Sequence, residues 1–320
     1  MKRVAVLRGG PSAEYPVSME TGKAVLAALK NLPYSHKDVV ITRQGEWLDD
    51  GKIRRPEMAL EGVDVVFVAL HGEYGEDGQV QRIMERLNIP FTGSNSLSSA
   101  IAFNKELAKQ TVRGHNINMP RHRRFARSEL DTLSDEVDSI LKEIGTELFI
   151  KPIANGSSVG AAHVGSREAL LETLPNILAQ HEQVLIEEFI RGKEATVGVL
   201  HDYRGESRYV LPVIEVIPPR TDTFYTFANK YDGTTEHVCP GRFSYKEKAE
   251  LQEAARIAHD ALGCSHYSRS DFMLRDGEIY YLETNTLPGF TSESNFPIAA
   301  AAVGLEFPQL VRHLVETAKV

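Results

Sequence analysis

The run "VDVVFVALHG", residues 63–72, constrains the fold most, because its apolar residues follow one another without the alternation of a half-exposed strand. Such a strand must be covered on both faces, which is the habit of parallel sheets flanked by helices. "RVAVLRGG" near the start is a second run of this kind, closed by two glycines. Between the two, Val17, Ala24, Val25 and Ala28 recur at helical spacing, and Pro16 stands where a first helical turn tolerates proline. Beyond the second run, Asp77 is expected to cap a helix carrying Val80, Ile83, Met84 and Leu87. The pattern predicts an open, parallel-sheet α/β domain over residues 1–93.

A chain of 320 residues exceeds a single core of roughly 100 to 150 residues, so two or three domains are expected. The net charge of -8 argues against nucleic acid as a partner, and the basic run "RHRRFAR" (121–127) reads as a solvated face. No window reaches the roughly 18 consecutive apolar residues needed to span a bilayer, and the first apolar run is too short for a secretory segment. A cytoplasmic protein with no membrane partner is expected. Cys239 and Cys264 form no CxxC or metal-ligand spacing and read as free thiols.

In open α/β sheets ligands bind beyond the carboxyl ends of the strands, here the loops "GGPSAEYPVS" and "HGEYGEDG". Neither GxGxxG nor GxxxxGK[ST] occurs, which disfavours a nicotinamide enzyme and a P-loop ATPase. A helix is expected over 94–110, strands in "LFIK", "QVLIEEFI", "KEATVGVL" and "RYVLPVIEVIP", and a helix over 245–262. Residues 218–240 read as a long loop, a length typical of a lid.

"SRSDFMLRDGEIYYLETN" reads as a hairpin with two available turns. A two-residue Asp276-Gly277 turn would pair Arg275 with Glu278 and put Asp271 on the face away from Glu283. A three-residue Arg275-Asp276-Gly277 loop would pair Leu274 with Glu278 and set Arg269 opposite Glu283. Only the second regular register gathers Asp271, Glu283 and Asn285 on one face, where three hard oxygen donors suit Mg²⁺. The plainer alternative is that Glu283 only salt-bridges Arg269.

Lys151 ends "LFIK", and "ANGSSVG" follows. Gly156 and Gly160 would allow the backbone to surround a phosphate as a hairpin flap, or the segment is a plain turn. Lys105, Lys151 and Lys230 could screen phosphate charge. Glu187 and Glu194 in "LIEEFIRGKE" have a spacing that suits an adenine edge and a ribose, or they are exposed acids.

Taken together, "GGPSAEYPVS", "ALHGEYGEDGQVQ", "IPFTGS", "FIKPIANGSSVG", "LIEEFIRGKEATVGVL", "FANKY", "SRSDFML" and "YLETNTLPGFTSES" resemble the D-alanine–D-alanine ligases of the ATP-grasp superfamily, in order and over nearly the whole chain. The resemblance implies an ATP-grasp fold: an N-terminal open α/β domain (1–93), a central domain with the flap (94–189) and a C-terminal domain with the lid loop and metal site (190–320). It implies ATP-dependent joining of two D-alanines through an acyl phosphate for peptidoglycan precursor synthesis, and a homodimer. It implies Mg²⁺, two ions with Mn²⁺ as a substitute, held by Asp271, Glu283 and Asn285.

By the same resemblance Glu14 holds the ammonium of the first substrate, with Ser157 and Tyr231 as hydrogen-bonded partners and Ser18 and His71 close by. Lys105, Lys151 and Lys230 meet the nucleotide phosphates with Ser157 and Ser158, and Glu187 and Glu194 the adenine and ribose. Arg269 and the Gly289 backbone stabilise the oxyanion, and Ser294 the carboxylate of the second substrate. Asn104, Asn155, Phe227 and Asn295 depart from the family pattern, where Asp, Glu, Tyr and an aliphatic residue are usual. Asn295 adjoins the second substrate and bears on its identity. The alternatives are a D-alanine–D-serine or D-alanine–D-lactate ligase, Tyr231 arguing against lactate, and a non-catalytic binding module.

Overall fold

The structure is a computed structural model that describes residues 1–154, 160–219 and 235–320. Among these residues the strands form three sheets. The first contains β1 (Arg3–Gly9), β2 (Ser35–Ile41), β3 (Trp47–Asp49), β4 (Lys52–Arg54) and β5 (Val65–Val68), in the order β4-β3-β2-β1-β5. β1 pairs in parallel with β2 and β5, and Val4, Ala5, Val6 and Leu7 have no exposure, as a strand covered on both faces requires. β3 and β4 add an antiparallel edge that periodicity does not signal, because each has only three residues.

Helices α1 (Tyr15–Leu29), α2 (Pro56–Ala59) and α3 (Gln79–Leu87) accompany this sheet, with proline in the first turn of α1. The cap of α3 is one residue later than expected. Gly78, at φ 91°, occupies the cap position, where a Cβ would lie 2.4 Å from the Ser96 carbonyl oxygen. Asp77 still serves the helix, its Oδ1 accepting from the Gln79 N–H at 3.0 Å. The single helix expected over 94–110 is two, α4 (Ser96–Phe103) and α5 (Lys105–Arg113). Asn104 between them is extended and caps α5 by accepting from the Leu107 N–H at 3.0 Å.

The second sheet is antiparallel, with β6 (His122–Ala126), β7 (Leu148–Pro152), β8 (Ala162–Val164) and β9 (Gln183–Glu188) in the order β6-β9-β7-β8. Phe125, Ile150, Val184 and Ile186 on one face pack with α6 (Leu133–Ile144) and α7 (Arg167–Leu178). Alternation therefore turns Lys151, Leu185 and Glu187 to the other face. The basic run lies mostly on β6, and Arg121, Arg123 and Arg127 each pair with an acid, at 3.0, 2.8 and 2.6 Å to Glu188, Glu136 and Glu182. β7 and β8 pair antiparallel, while Asn155, Gly156, Ser157 and Ser158, which carry the expected flap or plain turn, lie outside the described residues.

The third sheet holds β10 (Lys193–Tyr203), β11 (Glu206–Val210), β12 (Ile214–Ile217), β13 (Glu236–Val238), β14 (Tyr267–Arg275) and β15 (Glu278–Asn285), ordered β13-β12-β10-β14-β15 with β11 beside β10. The strand expected in "RYVLPVIEVIP" is split into β11 and β12 around Pro212, which has no N–H for a ladder. The expected loop 218–240 is shorter at its end, because residues 236–238 pair with β12 as β13. Phe227, Lys230 and Tyr231 lie outside the described residues.

Helices α8 (Tyr245–Ala261), α9 (Asn295–Ala301) and α10 (Phe307–Thr317) complete the chain. One apolar core runs from the first sheet into the third through Val6, Phe67, Leu200, Tyr267, Phe290 and Val311, and Phe91 bridges to Lys319. No described helix is long and apolar enough to cross a membrane. Cys239 and Cys264 are free thiols.

Candidate functional site

The hairpin β14–β15 reaches the expected face by an unexpected route. Arg275 pairs with Glu278 across the two-residue turn, with Asp276 and Gly277 both left-handed, the turn whose twist matches a hairpin. The three-residue loop is thus not used. A bulge at Leu282 then shifts the register by one residue, so that Phe272 opposes Tyr281 but Asp271 opposes Glu283 and Arg269 opposes Asn285. The bulge does what the longer turn was expected to do, and all three oxygen donors share one face.

Within that face the Arg269 guanidinium grips Asp271 with two hydrogen bonds, Nε to Oδ1 at 2.9 Å and Nη2 to Oδ2 at 2.8 Å. Arg269 therefore pairs with Asp271, not with Glu283. Thr196 on β10 donates to Asp271 Oδ1 at 2.6 Å, and Asn285 Nδ2 donates to Oδ2 at 3.3 Å. Glu283 pairs with Lys105, the first residue of α5, at 3.4 Å. A cleft of about 20 Å³ between them is lined by Glu76, Phe103, Lys105, Glu283 and Asn285, so the loop after β5 reaches the same place. Glu194 opposes Met273 on β14, two residues from Asp271, and so stands on this same sheet face.

On the second sheet Glu187 is 2% exposed, and its two oxygens are held by Lys109 and Lys151, each at 2.8 Å. Burial alone would raise the Glu187 pKa, but the two ammonium groups outweigh it and hold the carboxylate at about 2. Burial alone would lower Lys151, but Glu187 and Glu283 outweigh it and keep Lys151 above its usual value. For Lys109 burial wins and the pKa falls. Neither Glu187 nor Lys151 is thus a solvated surface charge.

The N-terminal loops supply the third wall. Ser12 Oγ donates to the His71 carbonyl at 2.7 Å and accepts from the Glu14 N–H at 3.1 Å, which ties the two strand-end loops together. Gly72, at φ 71°, allows this, since a Cβ there would lie 2.7 Å from the Glu14 carboxylate. Ser18 is fully buried, donating to the Ala69 carbonyl and accepting from the Gly9 N–H, both at 2.7 Å, so its hydroxyl is spent on joining β1 to β5. His71 is buried between Thr21 Oγ1, 2.8 Å from Nε2, and the Leu287 carbonyl, 3.0 Å from Nδ1. Burial opposes its charge, yet Glu76, 3.6 Å away, and Glu14 raise its pKa, while burial pushes the Glu76 carboxyl up.

The segment after β15 folds back on these loops. Ser294 stands at the start of α9 without capping it, its hydroxyl turning back to accept from the Thr291 N–H at 3.0 Å and to meet the Thr291 hydroxyl at 2.9 Å. Gly289 lies against it, and Phe290 and Phe296 anchor the segment in the core. Asn295 begins α9, and its Oδ1 is buried with no hydrogen-bond partner among the described residues. Glu76, Lys109 and Thr196 were not singled out by sequence. The signal for Lys109 was its place on the buried stripe of α5 with Lys105, Ala108 and Val112.

Two family models match the chain. One described as the D-ala D-ala ligase C-terminus matches residues 112–316, and one described as the D-ala D-ala ligase N-terminus matches residues 49–94. A D-alanine–D-alanine ligase of Geobacter sulfurreducens is 38% identical over 320 residues, spanning 99% of this chain and 94% of the relative. Among solved structures, the VanG D-Ala:D-Ser ligase from Enterococcus faecalis superposes with a TM-score of 0.83 at 31% identity, covering 98% of each chain. The D-alanine–D-alanine ligase from Bacillus anthracis complexed with ATP superposes at 0.80 with 30% identity, over 99% of this chain and 97% of that one. On the matched models, the full-length identity and the ATP-grasp architecture, the chain belongs to the D-alanine–D-alanine ligase family.

Proposed function

We propose that this chain joins two D-alanines into D-alanyl-D-alanine for peptidoglycan precursor synthesis, converting ATP to ADP and phosphate. The observation that carries the reading is the hairpin face on which Asp271, Glu283 and Asn285 stand beside Lys105 and Arg269. The donor set is of hard oxygens, two of them carboxylates, which fits Mg²⁺; bound there, the ion would neutralise phosphate charge.

Lys105 and Lys151, with Lys230, would screen the triphosphate, and Glu194 would take the ribose. Carboxylate oxygens accept more than one bond, so Glu187 retains capacity for the adenine amino group although two lysines hold it. Ser157 and Ser158, outside the described residues, would meet the phosphates as the family resemblance implies.

Glu14 would hold the ammonium of the first D-alanine beside His71, with Ser157 and Tyr231 as its partners. One carboxylate oxygen of that D-alanine attacks the γ-phosphorus, and ADP leaves. The neutral amine of the second D-alanine, its carboxylate on Ser294, would attack the acyl carbon, the acyl carbon–oxygen bond breaks, and phosphate departs with the former carboxylate oxygen while the amine gives up a proton to solvent. Arg269 and the Gly289 N–H would stabilise the oxyanion between these events, where one donor is worth about 3 to 4 kcal/mol. Ser18 shapes the loop without contacting substrate. A cytoplasmic homodimer acting on small molecules, without nucleic acid or membrane, completes the reading.

The test is direct. The purified chain with ATP, Mg²⁺ and D-alanine should form dipeptide and equimolar phosphate, and Glu283→Ala should lose both. Absence of dipeptide from the parent chain would sink the proposal.

A further inference from the structure

Lys109 has no exposure at all, which lysine almost never shows unless it is paired. It lies one turn beyond Lys105 on α5, where the buried stripe otherwise carries Ala108 and Val112. Its ammonium meets Glu187 Oε1 at 2.8 Å and the Tyr281 carbonyl at 3.3 Å, and it sits 6.0 Å from the centre of the Tyr281 ring. No substrate could reach a group so enclosed.

The charge count makes the residue informative. Glu187 and Lys151 alone would form a closed, neutral buried pair. Glu283, which also acts on Lys151, is already met by Lys105, so an additional lysine is a buried excess of positive charge, which is costly and needs a reason. That reason is supplied if Lys151 has a second anion to meet. With Lys109 on one carboxylate oxygen, the charge of Glu187 is already compensated, and the charge of Lys151 is left for a phosphate. Without Lys109, a phosphate would compete with a buried carboxylate for its sole ammonium partner. The contact to Tyr281 adds a geometric effect, because that carbonyl lies on β15 two residues before Glu283. Lys109 thus ties the β9 strand of Glu187 to the strand bearing the oxygen donors.

The geometry points to Lys109 as a positioning residue of the nucleotide pocket: it holds Glu187 with its own buried cation, so that Lys151 is free to neutralise the phosphates of a nucleoside triphosphate. This rests on the reading above that Lys151 faces ATP.

Steady-state kinetics of the full chain with ATP and D-alanine test it. Lys109→Met should raise KM for ATP about tenfold or more, as loss of a supporting ion partner does, with kcat and KM for D-alanine little changed. Lys109→Arg, which keeps a cation beside Glu187, should hold KM for ATP within about threefold of the parent. A packing role alone makes different demands. Melting temperature recovered in Lys109→Arg without recovery of KM for ATP would overturn the inference, as would an unchanged KM for ATP in Lys109→Met. If Lys109→Met does not fold, Lys109→Arg carries the test, and a KM for ATP raised beyond about threefold refutes it. Lys151→Met, run in parallel, separates the two levels. A raised KM for ATP there with none in Lys109→Met sinks this inference alone, whereas no rise in either sinks the reading of the pocket as well.

Discussion

Two carboxylates on neighbouring sheets are held by lysines, and the difference between them separates architecture from chemistry. Glu187 is 2% exposed and clamped on both oxygens by Lys109 and Lys151. The Glu283 side chain is 23% exposed, opens on a cleft and lies 3.4 Å from Lys105. A fully desolvated triad is costly to break but cannot change partners easily. A part-exposed pair costs less to break, and each member can turn to a phosphate or a cation.

The comparison should break apart under mutation. Glu187→Ala leaves two buried ammonium groups without their acid and should cost about 3 to 5 kcal/mol of stability. A denaturant titration with that loss absent would contradict the clamp. Glu283→Ala should do the reverse, with stability within about 1 kcal/mol of the parent and ligation abolished. Arg269→Met should lower kcat by about 10² to 10³ if its guanidinium meets the oxyanion.

Smaller effects sharpen the picture. Burial holds His259 and His266 at about 3, far below the usual histidine value of 6.5. The folded chain therefore refuses protons that the unfolded chain binds. Each residue should erode stability by up to about 1.4 kcal/mol per pH unit as pH falls from 6.5 toward 3. Melting curves between pH 7.5 and 5 should show the slope, and His259→Gln should reduce it. The smallest change is expected from Asn295→Leu, which removes a buried carbonyl with no described partner. D-alanine ligation should stay within about threefold, while any ligation of D-serine in the same acceptor panel should fall.

The α/β start, the flap strands and the hairpin were legible because each rests on local pattern: continuous apolar runs, alternation and a turn dipeptide. The hairpin also shows the limit. Asp276-Gly277 signals its two-residue turn, but nothing in "YYLETN" announces that Leu282 will bulge, since a bulge is decided by how both strands pack and twist. The split of the helix at Asn104 had a local signal in the capping asparagine, which the continuous apolar spacing masked. Among the described residues, those expected from the resemblance stand on strands, as Lys151, Glu187, Asp271 and Glu283 do, in loops, as His71 and Gly289 do, or at helix starts, as Lys105 and Asn295 do. Two of those missed, Lys109 and Thr196, act through partners distant in sequence, which periodicity within one element cannot register.

Ligation through phosphoryl transfer to the D-alanine carboxylate carries one substrate oxygen onto phosphate. D-alanine labelled with ¹⁸O in its carboxylate, supplied with ATP and Mg²⁺ to the purified chain, should give dipeptide together with phosphate carrying one labelled oxygen for each peptide bond formed. Dipeptide accompanied by unlabelled phosphate would contradict the account.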